Sequence, residues 1–123
     1  GRFLSEMLES INLTRDDVFI TNIVKYRPPN NRDPKPDEID AFRPYLQQQI
    51  NIIKPQIIIT LGRHAMNVFL PGAKISQIHG QPQTIDGQVY LPLYHPAAAL
   101  YNGSMRVTLK EDFARIPDIL KQL

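Results

Sequence analysis

A histidine stands where an apolar segment of the chain ends. The segment from Val89 to Leu93 is followed by Tyr94, His95 and Pro96, and then by three alanines and a leucine. In open α/β sheets, ligands bind beyond the carboxyl ends of the strands, at the rim where such a histidine would lie. Small residues after the turn leave room for a ligand. His95 therefore fits either a ligand-binding role or a structural role with its ring bonded to backbone.

Asn22 lies in the apolar stretch from Val18 to Val24, which predicts a buried strand that runs into a site. A side-chain amide offers two donors and one acceptor in one plane, and it can read the edge of a heterocyclic base bidentately. Asparagine also serves turns by bonding local backbone. The residue types alone leave both interpretations of Asn22 open.

Two segments carry basic residues that suit phosphate groups. The loop from Lys25 to Pro36 includes Arg27 and Arg32 together with a tyrosine and four prolines. That mixture fits a nucleic-acid backbone, although a solvated loop has the same composition. Arg63 follows Gly62 at a step from a strand into a helix, where free amides and the helix dipole favour anions. This second signal is weak, because every α/β protein has several such steps.

The bulk composition bounds the class of protein. A length of 123 residues with 42% hydrophobic residues predicts one domain over residues 1–123. The net charge of +2 and the pI near 9.0 permit nucleic-acid binding without requiring it. The absence of cysteine excludes disulfides and metal sites held by thiolates. No apolar run could span a bilayer and no signal sequence opens the chain, so we expect a soluble, cytoplasmic protein with no membrane partner.

The pattern of elements predicts an α/β fold, with three α/β/α layers around a mainly parallel central sheet. We expect Pro44 to kink or split the second helix. The strand at Gln56 to Leu61 should be central, and Asp86-Gly87 should turn a hairpin. The predicted order is a helix at 3–11, a strand at 18–24, a helix from 36 to 53, a strand at 56–61, a helix at 63–70, a hairpin at 84–93 and a last helix at 107–123.

Five separated segments, in this order, resemble the uracil-DNA glycosylase superfamily, and among its members the family 4, iron–sulfur type of bacteria and archaea. The resemblance runs along essentially the whole chain, and the conjunction of five blocks makes it specific. The segments are Val18 to Lys25, Arg27 to Pro29 with Asn31 to Pro34, Arg43 to Leu46, Thr60 to Arg63, and Tyr94 to Ala98.

This resemblance implies an enzyme of base-excision repair, associated with the nucleoid, that flips uracil out of DNA and hydrolyses its N-glycosidic bond. By position, Asn22 matches the residue that reads the uracil edge, and His95 matches the catalytic histidine that bonds a uracil carbonyl. A donor at that carbonyl stabilises the negative charge that develops on the base. The expected DNA contacts are Arg27, Arg32, Arg63 and the loop Pro96, Ala97, Ala98, Ala99 and Leu100, which matches the segment that enters the minor groove.

The chain departs from the family at the cluster ligands. Tyr26 and Phe42 stand, 16 positions apart, where the family places cysteines, and the chain has no cysteine elsewhere. We therefore expect no iron–sulfur cluster and no other cofactor. We hypothesise that the two aromatic rings pack together and replace the structural role of the cluster.

A second departure concerns the first motif of the family, which supplies the acid that positions water and an aromatic that stacks on uracil. This motif would lie upstream of the position matching Gly1. The chain is thus expected to be an N-terminally truncated piece of a longer protein or a degenerate relative, and to show no glycosylase activity alone. The alternatives are a non-catalytic DNA- or nucleotide-binding relative, or an α/β domain that handles nucleotides and shares only the fold. Uracil-containing DNA is the expected partner, and the oligomeric state is left open.

Overall fold

The computed structural model describes residues 2–21, 35–100 and 102–123. The chain divides into two compact units, of which one consists of Gly1–Ile20 with Gln56–Leu123 and the other of Thr21–Pro55. Among the described residues, no helix is long and apolar enough to cross a membrane.

The first unit contains a mixed sheet of three described strands, β1 (Ile57–Leu61), β2 (Gln83–Ile85) and β3 (Gln88–Leu93), in the order β1-β3-β2. β1 runs parallel to β3, and β2 pairs antiparallel with β3. The α/β class is confirmed, but the described sheet is not mainly parallel. Among these three strands β3 rather than β1 is central, because the hairpin returns β2 to the edge of β3 that β1 leaves open.

The hairpin forms at the predicted turn. Asp86 and Gly87 have φ values of 51° and 83°, and positive φ at both central residues is what a two-residue hairpin turn of type I′ requires. The register that follows pairs Ile85 with Gln88. The turn therefore sets the alternation along β3, which carries Leu91 and Leu93 into the core.

Helices pack around this sheet within the first unit. The predicted first helix is confirmed. The predicted last helix begins earlier than expected, because Asn102 caps it at residue 103. It is also two helices, because Pro117 has no N–H to donate the hydrogen bond that would continue the first of them. The Asn102 side chain accepts from the backbone N–H of Met105 at 3.1 Å. The helices are α1 (Arg2–Ser10), α3 (Arg63–Phe69), α4 (Ile75–Ile78), α5 (Gly103–Ala114) and α6 (Ile116–Lys121).

The apolar core of this unit packs around the end of β3. Leu91 and Leu93 are fully buried and belong to one apolar cluster with side chains from α1, α5 and α6. Each such side chain contributes roughly 1.5–3 kcal/mol through its removal from water. The remaining buried members of this cluster are Met7, Leu8, Ala99, Leu109, Phe113, Ile116 and Ile119.

The second unit contains helix α2 (Pro36–Ile53). Pro36 occupies its first turn, and the backbone N–H of Lys35 donates to the Glu38 carboxylate at 2.8 Å, so the start is well capped. Pro44 lies inside the helix without splitting it. The helix ends at Ile53 as predicted, and Lys54, with φ of 51°, adopts the left-handed region just after it.

Two predictions concern residues near the undescribed segment. The strand expected at 18–24 does not form at residues 18–21, and residues 22–24 lie outside the described residues. Tyr26 also lies outside them, so its contact with Phe42 stays a prediction. The described aromatic partner of Phe42 is Tyr45, with ring centroids 5.8 Å apart.

Candidate functional site

His95 lies just beyond the end of β3, where it begins a short 3₁₀-helix at Pro96–Ala99. Its Nδ1 accepts a hydrogen bond from the backbone N–H of Ala97 at 3.0 Å. The His95 side chain thus caps the short helix that begins at Pro96. The capping bond fixes the orientation of the ring relative to the backbone.

This bond also fixes the chemistry of the imidazole. A neutral imidazole has one nitrogen that accepts and one that carries a proton. Because Nδ1 of His95 accepts from Ala97, the proton of the neutral ring must be on Nε2. No described residue accepts a hydrogen bond from that Nε2–H group. Within the part of the chain that the structure describes, the ring therefore presents a neutral donor with no acceptor at the rim of the sheet.

The backbone of Gly62 packs against the side chain of His95. A Cβ atom placed on Gly62 would lie 3.3 Å from the Cβ of His95 and 3.7 Å from its Cδ2. His95 is exposed as a whole, yet this contact and the Ala97 bond keep water from part of its ring. Burial lowers the pKa of His95 below the ordinary 6.5, so the imidazole is neutral at pH 7.

Gly62 also ties the ends of two strands together. It follows β1 and precedes α3, and its N–H donates to the Leu93 carbonyl at 2.8 Å. Its φ of 89° and ψ of 166° fall in a region that glycine alone adopts readily. Sequence reasoning used Gly62 only as a marker for the anion site at Arg63. The glycine at a strand-to-helix step was the signal that could have placed it beside His95.

The segment that follows His95 divides into anchored and exposed residues. Ala99 is fully buried in the core, so it supports the segment instead of facing a ligand. Ala97 and Ala98 are exposed, Pro96 is half-buried, and Leu100 has 52% of its surface exposed. An exposed leucine on a short, anchored turn is suited to insertion into an apolar site of a partner.

Arg106 on α5 braces this segment, and sequence reasoning missed it because no local pattern links it to Leu100. Its guanidinium Nη2 donates to the Leu100 carbonyl at 3.4 Å. The same guanidinium lies 5.6 Å from the ring centroid of Phe3 on α1. Arg106 thus joins the exposed turn to the first helix.

The other predicted site residues are not brought together in the described part of the chain. Arg63 is exposed in the first turn of α3. Asn22, Arg27 and Arg32 lie outside the described residues, and their roles stay predictions.

An iron–sulfur cluster of the cysteine-held type does not fit this chain. All the thiolates that hold such a cluster are missing, because the sequence contains no cysteine. Within residues 2–21, 35–100 and 102–123, no group of three or more His, Cys, Asp or Glu side chains could hold a metal ion instead.

Comparison with known proteins identifies what the chain is similar to. The family model described as "Uracil DNA glycosylase superfamily" matches residues 1–121. A type-4 uracil-DNA glycosylase of Sulfurisphaera tokodaii is 46% identical over 131 residues, which cover 97% of this chain and 59% of that protein. One of Archaeoglobus fulgidus is 41% identical over 128 residues, covering 97% of this chain and 64% of that protein.

A similar stretch occurs within a protein of another name. A DNA polymerase of Bacillus phage SP01 is 35% identical over 101 residues, which cover 81% of this chain and 11% of that polymerase. The chain spans about 60% of the length of the type-4 relatives from Sulfurisphaera tokodaii and Saccharolobus solfataricus.

Proposed function

We propose, from the premise that the chain belongs to the uracil-DNA glycosylase superfamily, that it forms the base-binding part of a uracil-DNA glycosylase. The reaction is hydrolysis of the N-glycosidic bond of a uracil that has been flipped out of DNA. The observation that carries the proposal is the Nε2–H donor of His95, fixed by the Ala97 bond at the end of β3.

The chemistry of this donor suits the departure of a base. As the N-glycosidic bond breaks, negative charge develops on the uracil ring and its carbonyl oxygens. A pre-oriented N–H aimed at one of those oxygens stabilises the transition state more than the ground state. The donor is neutral at pH 7, because burial lowers the pKa of His95. The hydrogen bond from Nε2–H becomes stronger as negative charge grows on the uracil carbonyl, and the proton stays on His95.

The remaining roles in the proposal rest on the family resemblance. Asn22 would read the edge of uracil, on which a carbonyl acceptor lies beside an N–H donor, and one oriented amide distinguishes that pattern from the reverse pattern of cytosine. Phosphates would be met by Arg27, Arg32 and Arg63, and the stack would be entered by the exposed Leu100.

The proposal extends to cofactor, fold and place of action. With no cysteine in the chain, we propose that it works without an iron–sulfur cluster. We also propose one domain over residues 1–123, with a three-layer arrangement, acting on DNA in the cytoplasm.

An excision assay tests the function. The full gene product, meaning this chain with whatever residues its gene places before or after it, is incubated with single-stranded and duplex DNA that contain one uracil. Abasic sites are revealed by alkaline cleavage, and the same DNA with thymine or cytosine at that position is the control. We expect abasic sites at uracil only. Binding of the uracil DNA without any abasic site would overturn the proposal in favour of the non-catalytic relative.

A further inference from the structure

A second histidine, His79, lies on the other side of the end of β3. It follows α4 directly, and its Nδ1 is 2.7 Å from Oδ2 of Asp112 on α5. Asp112 is only 2% exposed, whereas the His79 side chain keeps 28% of its surface. A carboxylate can only accept, so Nδ1 of His79 carries the proton of this bond. Sequence reasoning gave His79 no role.

His79 and its neighbour Gly80 hold the end of β3 in two ways. The imidazole of His79 packs against the ring of Tyr94, with centroids 4.9 Å apart. The backbone N–H of Gly80 donates to the Pro92 carbonyl at 2.8 Å. Tyr94 immediately precedes His95, so both contacts bear on the short stretch of backbone that delivers the site histidine.

The end of α5 fixes Gly80 in turn. Nη1 of Arg115 donates to the Gly80 carbonyl at 3.1 Å. Gly80 has φ of 72°, and a Cβ atom there would collide with the Asp112 carboxylate. The absence of a side chain at Gly80 is therefore what allows Asp112 to reach His79.

Backbone hydrogen bonds thus hold the end of β3 on both sides. Gly80 bonds the Pro92 carbonyl on one side, and Gly62 bonds the Leu93 carbonyl on the other. A continuous series of contacts runs from Asp112 through His79 and Tyr94 to the residue that carries the Nε2–H donor. A hydrogen bond to a buried carboxylate is costly to break, because the carboxylate would be left without a partner.

We propose that His79 and Asp112 are positioning residues, which hold Tyr94 and the end of β3 so that the His95 ring meets the Ala97 N–H through Nδ1. The inference rests on the proposed function only for its catalytic consequence. It does not require that the chain excise uracil, because the orientation and tautomer of His95 are measurable without substrate.

The test uses ¹⁵N NMR of the imidazole nitrogens, which are few because the chain has three histidines. In the wild-type chain we expect separate Nδ1 and Nε2 signals for His95, with the proton on Nε2. In Asp112→Asn and in His79→Gln we expect that separation to be lost, because the ring then samples both tautomers. Asp118→Asn makes the same chemical change at an exposed aspartate on α6 and should leave the His95 signals unchanged.

Two variants keep the test decisive. If the buried position does not tolerate Asp112→Asn, His79→Gln still reports, since His79 is partly exposed and glutamine retains an N–H donor for Asp112 while removing the ring from Tyr94. Circular dichroism establishes which variants fold. Unchanged Nδ1 and Nε2 signals of His95 in a folded His79→Gln chain would overturn the proposal.

The excision assay adds the catalytic consequence. In the full gene product, we expect His79→Gln to lower kcat about 10- to 100-fold with KM nearly unchanged, because a small misplacement of a catalytic group has an effect of this size. Loss through KM alone would contradict positioning. A wild-type protein without excision activity would overturn the proposed function, whereas the NMR result would still decide the positioning role.

Discussion

The two histidines that flank the end of β3 use the same ring nitrogen in opposite ways. Nδ1 of His95 accepts from a backbone N–H at 3.0 Å, so its proton is on Nε2. Nδ1 of His79 faces the Asp112 carboxylate at 2.7 Å, so it carries the proton itself. One ring presents a donor at the rim, and the other directs its donor into the protein.

The comparison teaches that the partner of Nδ1, and not the residue type, assigns the role of each ring. A turn amide is a donor, so it leaves His95 with an outward N–H. A buried carboxylate is an acceptor, so it draws the proton of His79 inward and uses the ring as a structural link. Substitutions at and around the two rings, together with a pH titration, test whether this division of roles is real.

The largest effect is expected from His95→Ala in the full gene product. Removing one donor from a developing oxyanion typically costs about 2.7–4 kcal/mol, which corresponds to about a 10²- to 10³-fold loss of kcat. Affinity for uracil DNA, measured by fluorescence anisotropy, should change far less, because the donor acts mainly in the transition state. Equal losses of turnover and affinity would contradict the assigned role of His95.

The pH dependence follows from the direction of the pKa shift. Burial lowers the pKa of His95 below 6.5, so the neutral donor persists at pH 7 and is lost as the pH falls through the lowered value. Below that pKa we expect excision to fall about tenfold per pH unit. The contribution of this group to folding has the same sign: it is complete above pH 6.5 and disappears as the pH falls.

Two measurements check this prediction. An NMR titration of His95 gives its pKa directly, and rates over the same pH range show whether excision follows the neutral form. An excision rate that rises as His95 becomes protonated would show that the imidazolium is the active form, and it would break the contrast between the two rings.

A smaller effect is expected from Gly62→Ala, with Gly72→Ala as its matched control. Both glycines have positive φ, 89° and 81°, but only Gly62 has a neighbour, since nothing lies within 4 Å of a Cβ at Gly72. The backbone conformation of Gly62 costs another residue about 1–3 kcal/mol. At Gly72 the corresponding cost is about 1–2 kcal/mol.

Urea unfolding measures both losses, and NMR shows whether the His95 signals move. We expect Gly62→Ala to lose more stability and to shift His95, because the new Cβ lies only 3.3 Å from the His95 Cβ. Equal losses of stability in the two variants, with unshifted His95 signals, would mean that the contact between Gly62 and His95 tolerates a methyl group.

The smallest effect is expected from Arg106→Gln. An exposed cation–π contact contributes about 0.5–1 kcal/mol, and the hydrogen bond to the Leu100 carbonyl is long at 3.4 Å. We expect urea unfolding to show a loss of free energy of unfolding of this size. Lys110→Gln removes one exposed charge from the same helix and should lose less. An equal loss in both variants would show that Arg106 does not brace the turn.

The sequence predicted much of the first unit because its signals are local. The Asp86-Gly87 turn required positive φ at both residues, and the apolar spacing of α1 marked one helical face. The strand expected at residues 18–24 does not form over residues 18–21, since an apolar run predicts burial but cannot say which strand it pairs with. β1 was likewise placed at the centre of the sheet, because strand order depends on contacts that no local pattern records.

For the site, the sequence by itself determined the residue types, among them a histidine after a strand, a glycine before a helix and the complete absence of thiolate ligands. Membership of the family also follows from the chain alone. Only the tertiary structure decided that Gly62 underlies His95, that His79 meets Asp112, and which nitrogen of each ring carries the proton. Asp112 lies 33 residues beyond His79 in the sequence, whereas Ala97 lies two residues after His95, in a turn at the end of β3. In both cases the imidazole takes its tautomer from the group that the fold places beside it.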